Sequence, residues 1–325
     1  MSWSGGRARV QELGAMLSDV VFRLPDGREV SPLHKAPWLG EVLSPDTPPL
    51  LVGLQGEWPC VPFGVAPDAG LKGGWTGLPV APEPWPHGYG ANKPWMLSQT
   101  SANRIEATID YPDDSPIASL SRSVTGQNDR AVIDLTLAIT ARENVSVPIG
   151  LHPVFKLPEE PGAARLLIND QSSIWTYPGD TGGDSAFAYS HPVASFSELT
   201  MIGCEGWDPL ALPYPCASES VLLLSGCGGS VSLENLAESY RATLTWDASV
   251  LPSLMLWISN KGRASAPWSS RHLALGIEPV CSAFDFGSQI AGYENPLNSA
   301  GVPTAVSLST RQPWRTSYRL MVESL

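Results

Sequence analysis

AVIDLTLAITARE, Ala131–Glu143, decides the fold class. Its apolar residues Ile133, Leu135, Leu137 and Ile139 alternate with Asp134, Thr136, Ala138 and Thr140. A period of two puts one set on each face of a pleated strand, whereas an amphipathic helix needs a period near 3.6. The preceding runs RIEATIDYP (Arg104–Pro112) and SLSRSVTGQ (Ser119–Gln127) show the same period. The polar, glycine-containing stretch Gly126–Asp129 predicts a hairpin turn between the last two.

The pattern extends in both directions. MLSDVVFRLPDGREVSPLH (Met16–His34) holds two extended runs around an Asp26-Gly27 turn. Further strands are expected at VSVPIGLHP, ARLLIND, SVLLLSG, SVSLENL, ATLTWDA, LMLWISN, HLALGIEP and TSYRLMVES. Helix signals are nearly absent, the best short candidate being Phe196–Gly203. Between Ala36 and Trp95 the chain is rich in Pro, Gly and Trp, which argues against helices and for ordered loops over a scaffold. There is no internal repeat and no convincing linker. The expectation is all-β: one large antiparallel β-sandwich domain over 1–325.

Composition narrows the function. The chain has 325 residues, 43% hydrophobic and only 16% charged, with a net charge of -12. That charge argues against a nucleic-acid partner, which needs a basic surface. No apolar run reaches the roughly 20 residues of a membrane span. The first residues do not read as a signal peptide. The five cysteines fit no metal knuckle and read as reduced thiols of a cytoplasmic protein. A small neutral ligand suits this composition.

Three stretches carry ionisable residues beside Gly or Pro at the ends of extended runs. They are WPHGYG with His87, GLHPVFKLP with His152, and LALGIEPVCSAFDFG with Glu278. Imidazole and carboxylate together can move protons near neutral pH. In order and wording these stretches resemble the aldose 1-epimerase (galactose mutarotase) superfamily. Its HG, HP-aromatic-x-L and late EP elements correspond to His87-Gly88, His152–Leu157 and Glu278-Pro279. The resemblance covers Leu13 to Val322.

The resemblance implies a mutarotase-like supersandwich with a sugar in its concave face. It implies Glu278 as general base on the anomeric hydroxyl, His152 as general acid on the ring oxygen, and His87 in support. Acid and base are expected a sugar's width apart. It implies a small-molecule sugar as partner and no metal or organic cofactor; apart from the resemblance, the chain is expected to be a monomer or homodimer.

Candidate ligand-holding residues are Asp208, Trp257, Trp95, Asn92, Lys93 and Arg104. Asp208 is the best match to the family's sugar-holding aspartate. Arg104 stands in an Asn103-Arg104-Ile105 run that lies after His87, where the family has its arginine before the HG stretch. An acidic sugar would need a basic group in the cleft, and Lys93, Arg104 and Lys156 are the candidates. Asp285 is expected to cap a turn. His34, His191 and His272 match no motif and are expected at the surface or in structural roles. The competing reading is a carbohydrate-binding protein that no longer turns over its ligand.

Overall fold

A computed structural model describes residues 1–325 apart from 66–69, 80, 82 and 169. Among the described residues two antiparallel sheets face each other. The outer sheet has nine strands. Its central strand is Trp314–Ser324, which pairs with Val132–Ala141, itself flanked on the other side by Ile117–Gly126. The alternation of the opening stretch is its burial pattern: Ile133, Leu135, Leu137 and Ile139 lie in the core. The turn expected after Gly126 is present, with Gln127 N–H donating to the Val132 carbonyl.

The inner sheet has seven strands, and its three long members are Ser218–Ser225, Ser253–Asn260 and Leu273–Cys281. Every residue of these three is buried. One face, with Leu254, Leu256, Leu275 and Ile277, packs with the outer sheet. The other face, with Val221, Leu223, Met255, Trp257, Ala274 and Val280, packs under Trp38, Trp58, Phe63, Trp75, Trp268 and Phe284. Several of these covering residues come from the Pro/Gly/Trp-rich stretch. A sheet covered on both faces loses the polar/apolar alternation in its sequence.

The helix expectations need correction. Pro49–Val52 and Tyr89–Asn92 form single helical turns inside the proline-rich stretch, and Gly73–Trp75 a 3-10 turn. A proline at the first helical position forfeits no intrahelical bond, so Pro49 starts its turn without cost. In Phe196–Gly203 only Phe196–Glu198 is helical. The strand expected in ARLLIND covers Ala164–Leu167, and Asn169 lies outside the described residues.

The cysteine expectation also fails in part. Cys204 and Cys216 form a disulfide, with Cα atoms 5.8 Å apart, while Cys60, Cys227 and Cys281 are free and buried. The loop between the first two returns on itself, which their spacing does not announce. Among the described residues no helix is long and apolar enough to cross a membrane.

One buried ion pair bolts the covering loops to the outer sheet. Arg122 donates to Glu57 Oε2 at 2.6 Å and to the Ala15 carbonyl at 3.1 Å, and Tyr318 Oη donates to Glu57 Oε1 at 2.5 Å. The two charged side chains are 1% and 3% exposed, so neither can fall back on water. Removing one partner strands the other charge. Arg122→Met is expected to cost about 3–5 kcal/mol in urea unfolding. Arg122→Met with Glu57→Gln is expected to recover much of that loss. Equal losses in the single and double variants would contradict this role.

Candidate active site

Strand register brings His152 and Glu278 together. The segments Ile149–Leu151 and Val154–Lys156 both pair with Leu273–Cys281. The first pairs Gly150 with Val280, and the second pairs Val154 with Gly276. His152-Pro153 is the break between them, and Glu278 lies opposite it. Pro153 has no N–H to give the ladder, so the strand is interrupted there and resumes. Its carbonyl still accepts from Ile277 N–H at 3.0 Å, which fixes the break in register.

His152 Nε2 lies 3.5 Å from Glu278 Oε1. Both residues are buried. Trp58 stacks on the imidazole, with ring centroids 4.2 Å apart and planes 19° from parallel. The Trp58 carbonyl accepts from His152 N–H at 2.9 Å. The carboxylate has room because of Gly276: a Cβ there would stand 2.2 Å from Glu278 Oε1.

His87 reaches the same place from the loop. Its ring meets that of His152 edge to face at 5.0 Å. His87 sits at φ 56°, a strained value for a side-chain-bearing residue, and donates its N–H to the Gly64 carbonyl at 2.6 Å. Gly88 follows at φ 89°, where a Cβ would lie 2.1 Å from the Val61 carbonyl oxygen. The HG dipeptide is therefore a backbone requirement as well as a source of imidazole.

These residues line a cavity of about 220 Å³. Trp257, Trp268, Met255, Arg263 and Asp285 form other parts of its wall. A larger groove of about 1310 Å³, running past Asp19, Lys35, Lys156 and Glu238, lacks His87, His152 and Glu278. The small cavity is the candidate site because it holds the acid–base groups.

Electrostatics there are set by burial. Burial, and then Asp285, push the Glu278 carboxyl well above the usual carboxylate range. Burial, and then His87, push His152 well below an ordinary imidazole, and burial lowers His87 to about 4. Neither Glu278 oxygen has a hydrogen-bond partner among the described residues, and neither has Nδ1 of His87 or His152. Uncharged forms are favoured: a carboxylic acid beside a neutral imidazole, one proton shared between two groups.

The other sequence candidates divide. Trp257 lines the cavity, edge-on to His152 at 5.9 Å. Asn92, Lys93, Trp95, Arg104 and Asp208 do not line it. Asn92 is buried, donates to the Pro86 and Gly88 carbonyls at 2.7 and 2.9 Å, and accepts from Leu50 N–H, so it staples the His87 turn. Lys93 lies over the Trp85 ring at 4.0 Å. Trp95 is a core residue donating to the Gly90 carbonyl. Arg104 pairs with Glu106, and Asp208 with Arg165, both on the outer sheet. Lys156 pairs with Glu238.

The cavity's cation is instead Arg263, from the connection after the strand Ser253–Asn260. Asp285 lines the cavity and accepts from Tyr177 Oη at 2.7 Å, where a turn cap was expected. No pattern marks Arg263. Glu219, which pairs with it, was findable: a carboxylate inside the apolar run SESVLLLS is out of place unless partnered. His34 and His272 stack edge to face at 4.6 Å as buried residues, in keeping with structural roles.

Comparison with solved structures gives the fold. The chain has the galactose mutarotase-like fold. An aldose 1-epimerase from Escherichia coli K12, so assigned provisionally, is 15% identical with a TM-score of 0.67, covering 100% of this chain and 98% of its own. A GalM/aldose epimerase homologue from C. elegans is 14% identical with a TM-score of 0.61, over 99% of this chain and 97% of its own. A galactose mutarotase-like protein from Lactobacillus casei is 14% identical with a TM-score of 0.57, over 99% of both chains. No protein-family model matches the sequence. No curated protein matches it.

The buried carboxyl makes a stability prediction. With a pKa raised in the fold, Glu278 holds a proton in the native state that the unfolded chain has already released. Stability conferred at low pH is then lost as pH rises from the ordinary carboxylate range through the raised value. Glu278→Gln removes this loss. Its melting temperature is expected to exceed that of wild type by a few degrees at neutral to alkaline pH, with the gap closing towards pH 4. A variant less stable than wild type at pH 8 would contradict the burial argument.

Proposed function

We propose that the protein is an aldose 1-epimerase that interconverts the anomers of an aldose. The observation that carries this reading is the Glu278–His152 pair, 3.5 Å apart in a tryptophan-walled cavity. The cavity is smaller than those that take drug-sized ligands, which suits a monosaccharide. The overall likeness to aldose epimerase homologues supports the same reading.

The chemistry follows from proton supply. Opening a cyclic hemiacetal requires the anomeric hydroxyl to lose a proton as the ring oxygen gains one. Those two oxygens share one carbon. An acid and a base side by side therefore serve both, and the sugar-width separation expected from the sequence is not needed. With the pair's proton on His152, Glu278 takes the hydroxyl proton and His152 delivers one to the ring oxygen; with it on Glu278, the form burial favours, the two roles exchange. The bond from the anomeric carbon to the ring oxygen breaks, leaving the aldehyde. Rotation about the neighbouring carbon–carbon bond presents the other face. The same groups then act in reverse as the ring closes.

The active pair carries one proton, so either group can start as the acid. Positioned proton transfer contributes on the order of 10²–10⁴-fold for each group. His87, held against His152, adds a donor or acceptor near the ring oxygen. Trp58 fixes the imidazole plane, and Trp257 and Trp268 offer apolar faces to the sugar's C–H groups.

Saturation-transfer NMR on several aldoses tests the proposal. Wild type is expected to accelerate anomer exchange, and Glu278→Gln and His152→Ala to lower kcat by on the order of 10²-fold or more. Sugar binding with no acceleration over buffer would leave a carbohydrate-binding protein instead.

The pH profile supplies a second test. The acid limb, where the pair gains a second proton, is expected below the ordinary histidine range. The alkaline limb, where it loses its only proton, is expected well above the ordinary carboxylate range. Asp285→Asn removes a like charge, so Glu278 releases its proton more easily. The alkaline limb should then move to lower pH. An unmoved limb would contradict the coupling of Asp285 to Glu278.

A further inference from the structure

Glu219 is fully buried, on the same face of the inner sheet as Glu278. Both oxygens of its carboxylate are engaged by protein donors. Oε1 accepts from Trp257 Nε1 at 2.5 Å and lies 3.2 Å from Arg263 Nε. Oε2 accepts from Ser259 Oγ at 2.9 Å, and Ser259 is backed by His272 Nδ1 at 2.8 Å. A carboxylate so engaged has little capacity left for a sugar hydroxyl. Its two main partners, Trp257 and Arg263, both line the cavity.

Arg263 is held on one side only. Nε donates to the Thr181 carbonyl at 2.8 Å. The guanidinium carbon lies 4.6 Å from the Trp268 ring centroid and 5.7 Å from that of Trp257. These contacts fix the plane of the group. Among the described residues its two Nη groups make no hydrogen bond, although the side chain is only 24% exposed. A rigid fork of N–H donors at a cavity wall matches two neighbouring oxygens of a ligand.

Charge decides what kind of ligand. Glu219 offsets the charge of Arg263, and Glu278 and Asp285 add carboxyl groups to the same site. No excess positive charge remains for a phosphate or carboxylate. The fork suits paired hydroxyls.

We infer that Arg263 is the residue that grips the hydroxyls of the sugar, and that Glu219 is a positioning residue acting through it. This rests on the epimerase reading for the nature of the ligand. The guanidinium comes from the connection between the strands Ser253–Asn260 and Leu273–Cys281.

The test combines sugar binding by calorimetry with anomer-exchange kinetics, on neutral hexoses and their 6-phosphates. Wild type is compared with Arg263→Ala, Arg263→Lys, Glu219→Gln and the double variant Arg263→Ala/Glu219→Gln. Loss of Arg263 is expected to raise Kd and KM roughly 10- to 100-fold with kcat little changed. Lysine, lacking the fork, should not restore them. Glu219→Gln should raise KM in wild type and add nothing in the Arg263→Ala background. It should also shift preference towards the 6-phosphate, because Arg263 is then uncompensated.

Unchanged Kd and KM in Arg263→Ala would overturn the assignment. A full Glu219→Gln effect in the double variant would make Glu219 merely structural. If Glu219→Gln fails to fold, the two Arg263 variants still decide the first point. Should wild type bind sugar without accelerating exchange, the epimerase reading fails while the Kd series still judges Arg263. If no sugar binds at all, both are overturned.

Discussion

The break in the strand at His152-Pro153 is the constraint on which the site depends. Proline cannot donate to the ladder, so the strand stops at Leu151 and resumes at Val154, both parts still paired to Leu273–Cys281. Glu278 lies opposite the gap. Because side chains alternate along a strand, Glu278 faces the covered side of the sheet with Gly276 and Val280, while Ile277 faces the core. A register shift by one residue would turn the carboxylate into the hydrophobic core.

The covering loops give that geometry its electrostatic character. Trp58, Trp257 and Trp268 exclude water from the pair, which favours a protonated carboxyl and a neutral imidazole. Such a pair costs stability, since Glu278 has no hydrogen-bond donor among the described residues. The cost is offset elsewhere by groups that do find partners. The Arg122–Glu57–Tyr318 network fixes the loop that carries Trp58, and the Glu219–Ser259–His272 chain fixes Trp257. Polar networks with partnered carboxylates thus surround a carboxyl that has none, as expected where a ligand supplies the missing partners.

Much of this was legible in the sequence, and the reasons differ by element. The outer sheet declared itself because only one of its faces is buried, so Ile105, Ala107 and Ile109 alternate with Glu106, Thr108 and Asp110. The inner sheet is buried on both faces, and LMLWISN and LALGIEPVC show only that they are apolar. His87, His152 and Glu278 were found through local signatures, each an ionisable group beside Gly or Pro. Asn92, Lys93 and Trp95 share the His87 loop, but closeness in sequence says nothing about direction, and all three serve the loop itself. Arg263 and Asp285 reach the cavity through tertiary folding alone. The Cys204–Cys216 disulfide was hidden for the same reason.

The central claim is that burial keeps one proton on the Glu278–His152 pair above the ordinary carboxylate range, giving an acid and a base side by side. Carbon-13 NMR of side-chain-labelled glutamate, with Glu278→Gln to assign the signal, measures this directly. The account predicts that the Glu278 carboxyl carbon keeps the chemical shift of a protonated acid through the ordinary carboxylate range and titrates only well above it. A signal that titrates within the ordinary carboxylate range would contradict the account, because burial would then not be holding the pair's proton on Glu278.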